Sequence, residues 1–286
     1  MKRRLFLGCL ATLAGVLVTT SAVAAPKKIL VVSTTTGFRH SSIATAEKVI
    51  AEVGKSSGVY DIELASVFPP KDPGRNATDE QKAAFKVEQI AYQDKIKAVL
   101  AEKMSPAALK KYDGIIFANT TGDLPLPDKE AFIAWVKNGG AFVGMHSASD
   151  TFHGFPAYIE MLGGEFQTHG AQVVVSAINK DSAHPSTKHF GATFDIGGKK
   201  EEMYLFKNYQ QKAVRELLVL DKHPNTGAAG NFGVSWCREF GKGKVFYTSL
   251  GHNEYVWEMP EYQKHILGGI EWALGLKKGS GEPQAK

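Results

Sequence analysis

Cysteine is almost missing from this chain, with two in 286 residues. Cys9 falls inside a leader-like segment, so Cys237 stands alone in the remainder and no internal disulfide is available. The chain also lacks a Gly-x-x-x-x-Gly-Lys-Ser/Thr phosphate loop and a Gly-x-Gly-x-x-Gly turn after its first strand pattern, which removes the common nucleotide-binding signatures. No pair of histidines has the sharp His-Glu-x-x-His metal spacing. The apolar run Leu5 to Val18 has 14 residues, short of the ~20 that a membrane-spanning helix needs, so no stable membrane insertion is expected. Surplus charge is scarce as well. The formal net charge of +5 includes Lys2, Arg3 and Arg4, and subtracting those three leaves +2. No Lys/Arg cluster elsewhere restores the basic footprint of a nucleic-acid binder.

What is present at the start is the three-part pattern of an export signal over residues 1–25. A basic Lys2-Arg3-Arg4 precedes the apolar run, and small residues follow around Ala22-Val23-Ala24. The order Arg3-Arg4-Leu5-Phe6-Leu7 fits the twin-arginine route as well as the general secretory one. A periplasmic or secreted protein is the expectation. The rest, 43% apolar and 22% charged over the whole chain, is ordinary globular composition. It shows neither a repeat nor a linker, so residues 26–276 are expected to form one domain, with 277–286 a disordered tail.

Strand and helix patterns alternate, which predicts an α/β fold with a mostly parallel sheet and helices on both faces. Buried-strand runs cover Lys28–Ser33, Asp113–Asn119, Ala141–Gly144 and Lys244–Leu250, with an alternating strand over Tyr60–Val67. Helical spacing covers Ile43 through Ile50 (capped by Ser41 or Ser42), Asp79–Lys103, Pro127–Asn138 and Tyr262–Leu274. From Gln172 the chain turns β-rich, and Gly241-Lys242-Gly243-Lys244 reads as a hairpin turn.

In open α/β sheets ligands sit at the carboxyl ends of the strands, where loops and helix N-termini converge. The loops that follow the predicted strands hold Arg39 and His40, then Asp123, then His146 and Asp150, then His252 and Glu254. Within Gly144-Met145-His146-Ser147-Ala148, small residues flank a polar centre at the spacing of a nucleophile elbow. The centre here is histidine, a poor lasting acyl carrier but a good general base or metal ligand. A structural turn around a hydrogen-bonded histidine would leave the same pattern. His169, His184 and the pair Glu201-Glu202 form a second polar group, suited to zinc or another divalent ion if the segments meet in space. Trp257, in the loop after His252, is the better candidate for stacking on a sugar ring, whereas Trp272 and Cys237 read as packing.

At these residues the sequence resembles the ThuA-like (trehalose utilisation) family. The resemblance runs through Gly37-Phe38-Arg39-His40-Ser41-Ser42-Ile43, the His146 elbow with Asp150, and Leu162-Gly163-Gly164-Glu165-Phe166 ending at His169. It continues through His184-Pro185, Glu201-Glu202-Met203-Tyr204, Trp236, Phe240 to Tyr247 and Ser249-Leu250-Gly251-His252, and closes at Ile270-Glu271-Trp272-Ala273. Gly233 stands where the family commonly has proline, Glu201 where it usually has aspartate, and the stretch Phe68–Tyr112 is long. The resemblance implies a class I glutamine-amidotransferase-like, flavodoxin-like fold. In that fold's amidotransferases a cysteine occupies the elbow and a His-x-Glu follows a late strand. Here His252-Asn253-Glu254 keeps the second feature and His146 replaces the cysteine, so the covalent glutaminase route is closed.

The resulting expectation is carbohydrate chemistry on a disaccharide, a glycoside or a 3-keto derivative. His146 is expected as base or metal ligand, and His252, steered by Glu254, as its acid partner. Arg39, His40, Asp150 and Trp257 are expected to hold the sugar, and His169, His184 and Glu202 a divalent ion such as zinc. A sugar-binding protein without catalysis and a metal-dependent hydrolase of another small molecule are the rival expectations. The partner is a small carbohydrate in either of the first two cases, and a homo-oligomer stays open.

Overall fold

The computed structural model describes residues 25–174 and 176–284. The export-signal reading, Cys9 with it, lies outside the described residues apart from Ala25. In chain order the elements are β1 (Lys27–Val32), α1 (Ile43–Ser57), β2 (Tyr60–Ala65), α2 (Asp79–Lys103), α3 (Pro106–Leu109), β3 (Gly114–Ala118), α4 (Lys129–Lys137) and β4 (Ala141–Met145). A 3-10 turn (His146–Asp150) leads to α5 (Pro156–Leu162), β5 (Glu165–His169), β6 (Ser176–Asn179), β7 (Thr193–Asp195) and β8 (Tyr204–Lys207). The chain closes with β9 (Arg215–Lys222), β10 (Ala229–Phe240), β11 (Gly243–Thr248), α6 (Glu254–Glu258) and α7 (Pro260–Ala273).

Nine strands form one sheet in the order β2-β1-β3-β4-β11-β10-β9-β6-β7. The first five run parallel, in the doubly wound order of flavodoxin-like folds. The last four are antiparallel additions, which accounts for the β-rich half of the sequence. Strand alternation sends Ile29 and Val31 to one face, with Ile50 of α1 and Ile266 and Ile270 of α7. Leu30 and Val32 go to the other, with Ile96 and Leu100 of α2 and Phe132 of α4. Burial on both faces is why these strands read as unbroken apolar runs. β5 and β8 pair apart from the main sheet as a two-stranded ribbon.

Two expectations change. α1 begins at Ile43, yet neither serine caps it: Ser42 Oγ donates to the Gly251 carbonyl (3.0 Å) and Ser41 Oγ to Glu254 Oε1 (2.5 Å). These hydroxyls tie the loop after β1 to the loop after β11 instead. The tail is largely exposed but hydrogen-bonded to the body through Gln284. Trp272 Nε1 donates to Gly279 O (3.0 Å), Arg215 Nη1 to Glu282 O (3.1 Å), and Glu216 N to Gln284 Oε1 (3.0 Å). Low hydrophobicity missed this because the tail is held by its polar groups and backbone rather than by apolar side chains. Among the described residues no helix is long and apolar enough to cross a membrane.

Candidate functional site

β4 delivers His146 directly from the sheet into the 3-10 turn, with φ at +48°. A left-handed non-glycine residue costs free energy and persists where its surroundings hold it. Here Tyr247 Oη donates to the His146 carbonyl (2.7 Å) and Ser149 Oγ pairs with Tyr247 Oη (2.9 Å). A Cβ on Gly144 would lie 3.0 Å from both Leu162 and Tyr247 and 3.2 Å from Ala148, so the elbow closes only around a small residue. The turn predicted from the spacing is therefore built, and it buries the imidazole completely.

Three loops are stitched together behind that ring. The carbonyl of Gly251, a residue at φ +118°, accepts from Ser42 Oγ (3.0 Å), Asn119 Nδ2 (3.0 Å) and Trp257 Nε1 (2.9 Å). The loops after β1, β3 and β11 thus share one anchor, which brings His40 and His252 beside His146. Ring centroids are 4.6 Å apart for His40–His146, 5.2 Å for His40–His252 and 5.4 Å for His146–His252.

The nitrogens of these rings converge. His146 Nδ1 lies 2.8 Å from the Ser249 carbonyl, which only accepts, so Nδ1 carries the proton and Nε2 presents a lone pair. That lone pair faces His40 Nε2 at 3.1 Å and Tyr204 Oη at 3.0 Å. His40 Nδ1 is braced by Ser147 Oγ at 3.3 Å. Glu202 Oε2 stands 3.1 Å from His252 Nδ1 and 3.7 Å from His146 Nε2. His252 Nδ1 nonetheless has no hydrogen-bond partner of acceptable geometry. One ligand-type atom from each of His40, His146, Glu202 and His252 falls within 4.8 Å of the others.

This donor set fits a divalent transition ion. Two imidazole nitrogens on a tetrahedral zinc, each at about 2.0–2.1 Å, stand about 3.3 Å apart, close to the His40–His146 separation. The Ser249 and Ser147 contacts fix those two rings from behind, as outer partners of metal-binding histidines do. Electrostatics agree. Burial, aided by the neighbouring histidine, holds His146 well below the ordinary imidazole range, and burial with His252 nearby brings His40 down to about 4. Both rings are therefore neutral, the form that binds metal. At His252 burial acts downward but Glu202 outweighs it and raises the pKa; reciprocally, burial pushes Glu202 up and His252 pulls it lower still, below the usual carboxylate range.

A cavity of about 360 Å³ opens over this cluster, lined by Phe38, His40, Asp150, Phe166, His169, Glu202, Tyr204 and His252. It lies at the carboxyl ends of the parallel strands, and the β5–β8 ribbon contributes one wall. His40, His252, Asp150, His169 and Glu202 of the expected set line it. Asp150 and His169 stay outside the group of four, although His169 Nδ1 lies 3.0 Å from Glu202 Oε1 and 3.0 Å from the Gly170 carbonyl.

Other expected residues lie elsewhere. Trp257 is fully buried, its indole spent on Gly251, so it is no sugar platform. His184 packs on Trp272 and Cys237, its Nδ1 taken by Ser186, so it joins no metal set. Arg39 turns from the cavity to the Ser33 carbonyl and the Phe68 ring. Glu254 is bonded to Ser41 and adds only a minor upward pull on His252; Glu202 is the carboxylate that meets that ring. His146, beneath His40, does not itself line the cavity.

The acidic pair divides its work. Glu201 Oε1 accepts from the backbone N–H of His252 (2.7 Å) and of Gly251 (3.3 Å), and Oε2 from Asn253 Nδ2 (2.9 Å), which pins the His252 turn. Burial raises its pKa. Sequence reasoning missed Tyr204, Phe38 and Phe166 as wall residues. Their signal was adjacency within the stretches that carry the family resemblance: Phe38 beside Arg39-His40, Phe166 three before His169, and Tyr204 two after Glu202.

A sequence model of the ThuA family, described as trehalose utilisation, matches residues 28–273. A ThuA-like protein from Parabacteroides merdae shares the fold at TM-score 0.64 and 18% identity, covering 87% of this chain and 90% of its own. A second, from Bacteroides uniformis, aligns at TM-score 0.63 and 19% identity over 92% of this chain and 98% of its own. No curated protein sequence matches the chain.

Proposed function

Because the chain belongs to the ThuA, or trehalose utilisation, family, we propose that it processes a trehalose-like disaccharide, a glycoside or its 3-keto derivative in the cavity over His40. In this reading His40, His146, His252 and Glu202 hold one divalent ion of the zinc type. The observation that carries it is the convergence of those four ligand atoms within 4.8 Å at the cavity floor. When bound, such an ion polarises a carbonyl oxygen.

The remaining chemistry falls to the chain. In a 3-keto glycoside the carbonyl acidifies the neighbouring C2–H. A base takes that proton, the electron pair forms the C1–C2 double bond, and the C1–O bond breaks with its pair leaving on the glycosidic oxygen, which takes up a proton. His169 suits the base: its Nδ1 faces the Gly170 carbonyl, which leaves Nε2 as the basic nitrogen on the cavity wall. Asp150 accepts sugar hydroxyls. The export-signal pattern before Ala25 supports a periplasmic or secreted location for this chemistry.

A second reading dispenses with the metal and uses His252 with Glu202 as an acid–base pair; their 3.1 Å approach favours it. Product analysis with trehalose and 3-keto-trehalose, before and after chelation and zinc return, decides between them. Turnover of the keto sugar that is lost on chelation and regained with zinc is the expected result. Turnover indifferent to chelation supports the second reading, and binding heat without any product leaves a sugar-binding protein.

A further inference from the structure

Beside the cavity runs a chain of three side chains, two of which, His153 and Glu165, none of these steps uses. His153 Nε2 meets Asp150 Oδ1, and His153 Nδ1 lies 2.8 Å from Glu165 Oε1. Glu165, 2% exposed, also accepts from Gly154 N (3.2 Å) and Asn208 Nδ2 (2.9 Å) and pairs with Lys207 Nζ (3.0 Å). The outer end of the chain, Asp150, is a cavity wall residue.

The geometry dictates a charge state. Ionised carboxylates only accept hydrogen bonds, so a ring bonded to two of them donates from both nitrogens and is an imidazolium. Balance is local: Lys207 offsets Glu165, and His153 offsets Asp150. The backbone between them is built to match. Phe152 sits at φ +57° with its ring buried, while Gly122 N donates to the Asp150 carbonyl (2.9 Å) and Phe152 N to the Gly122 carbonyl (3.1 Å). Such a strained residue persists only where its neighbours hold it, here two residues after the Asp150 wall.

We infer that His153 is a positioning residue: clamped between Asp150 and Glu165 as a doubly protonated ring, it fixes the Asp150 carboxylate on the cavity wall as the acceptor for sugar hydroxyls. The inference rests on the carbohydrate reading and deepens it by assigning the hydroxyl-binding wall. Phe38 and Phe166 line the same cavity, so a ring held by Asp150 has apolar C–H faces within reach of aromatic surface. A carboxylate left to rotate would accept the same hydroxyls, but at the cost of ordering it on each binding event.

Two measurements on the full chain test this. Histidine-selective nitrogen NMR at pH 7 reads His153 directly. Protons on both ring nitrogens are expected, and a neutral single-tautomer ring would overturn the inference. Calorimetry on the zinc-loaded chain then uses trehalose and 3-keto-trehalose as probes. His153→Leu is expected to weaken sugar binding about tenfold or more, the worth of a charge-assisted hydrogen bond. His153→Gln, which keeps one N–H for Asp150, recovers part of that loss, and zinc affinity stays within about twofold in both variants. Unchanged sugar binding in His153→Leu overturns this inference and leaves the carbohydrate reading standing; a parent chain that binds neither sugar overturns both.

Discussion

His184 and His265 are as buried as His40 and His146, and burial lowers all four rings, to about 4 for His184 and about 3 for His265. By depth and by titration the two pairs look alike. They differ in where their nitrogens point. His265 Nδ1 lies 2.9 Å from the Ser186 carbonyl, and its unpartnered Nε2 belongs to a ring packed among Phe190, Phe246 and Tyr262. His184 is satisfied by Ser186 and faces the Cys237 thiol, which burial pushes well above its ordinary range. The pair at the strand ends aims lone pairs at each other and at a carboxylate. Burial with satisfied or apolar surroundings is packing, whereas burial with converging lone pairs is a site.

The comparison breaks most readily on metal. His146→Ala should weaken zinc binding about 100-fold or more, beyond what losing a residue that only braces a ligand would cost, and His184→Ala should leave it within about twofold. Equal losses in calorimetry would erase the distinction. Stability should sort the other way: His265→Ala removes a buried ring and its hydrogen bond, costing about 2–4 kcal/mol in denaturant unfolding. His40→Ala, in the metal-free chain, relieves a crowded polar cluster and should cost less. Glu201→Gln gives an intermediate effect. It retains acceptors for the backbone N–H groups but loses the charge, so zinc affinity should fall about tenfold through the loosened His252 turn.

A separate effect concerns pH and lies outside both histidine pairs. Burial pushes Glu165 up, but His153 and Lys207 pull it further down, to about 2 from an ordinary 4.5. A carboxylate depressed in the native state contributes stability that is complete above pH 4.5 and is lost as the pH falls toward 2. Glu165→Gln should flatten that limb of the acid-unfolding curve while leaving zinc affinity untouched. Parallel acid limbs for variant and parent would remove the carboxylate from the ledger of acid stability.

The sheet was legible because burial on both faces leaves apolar runs that nothing else explains, and the elbow because Gly144 and Ala148 must be small around His146. Site loops followed from strand ends. Side-chain direction within those loops did not, since it depends on partners distant in the chain. Its place in the loop after His252 makes Trp257 a sugar-platform candidate, but the Gly251 carbonyl draws its indole inward. Ser41 and Ser42 have the composition of a helix cap and serve as loop ties. Glu254 keeps a familiar spacing from His252, yet the segment leading into β8 brings Glu202 to that ring from fifty residues away. His184 shows the same limit: nothing local marks whether a buried imidazole faces a cavity or a tryptophan.

X-ray absorption at the zinc edge of the metal-loaded chain reads the arrangement at the strand ends most directly. Three imidazoles and one carboxylate oxygen around a single ion, at about 2.0–2.1 Å, are the predicted shell. A shell with one imidazole or none, or a chain that retains no zinc, would contradict it.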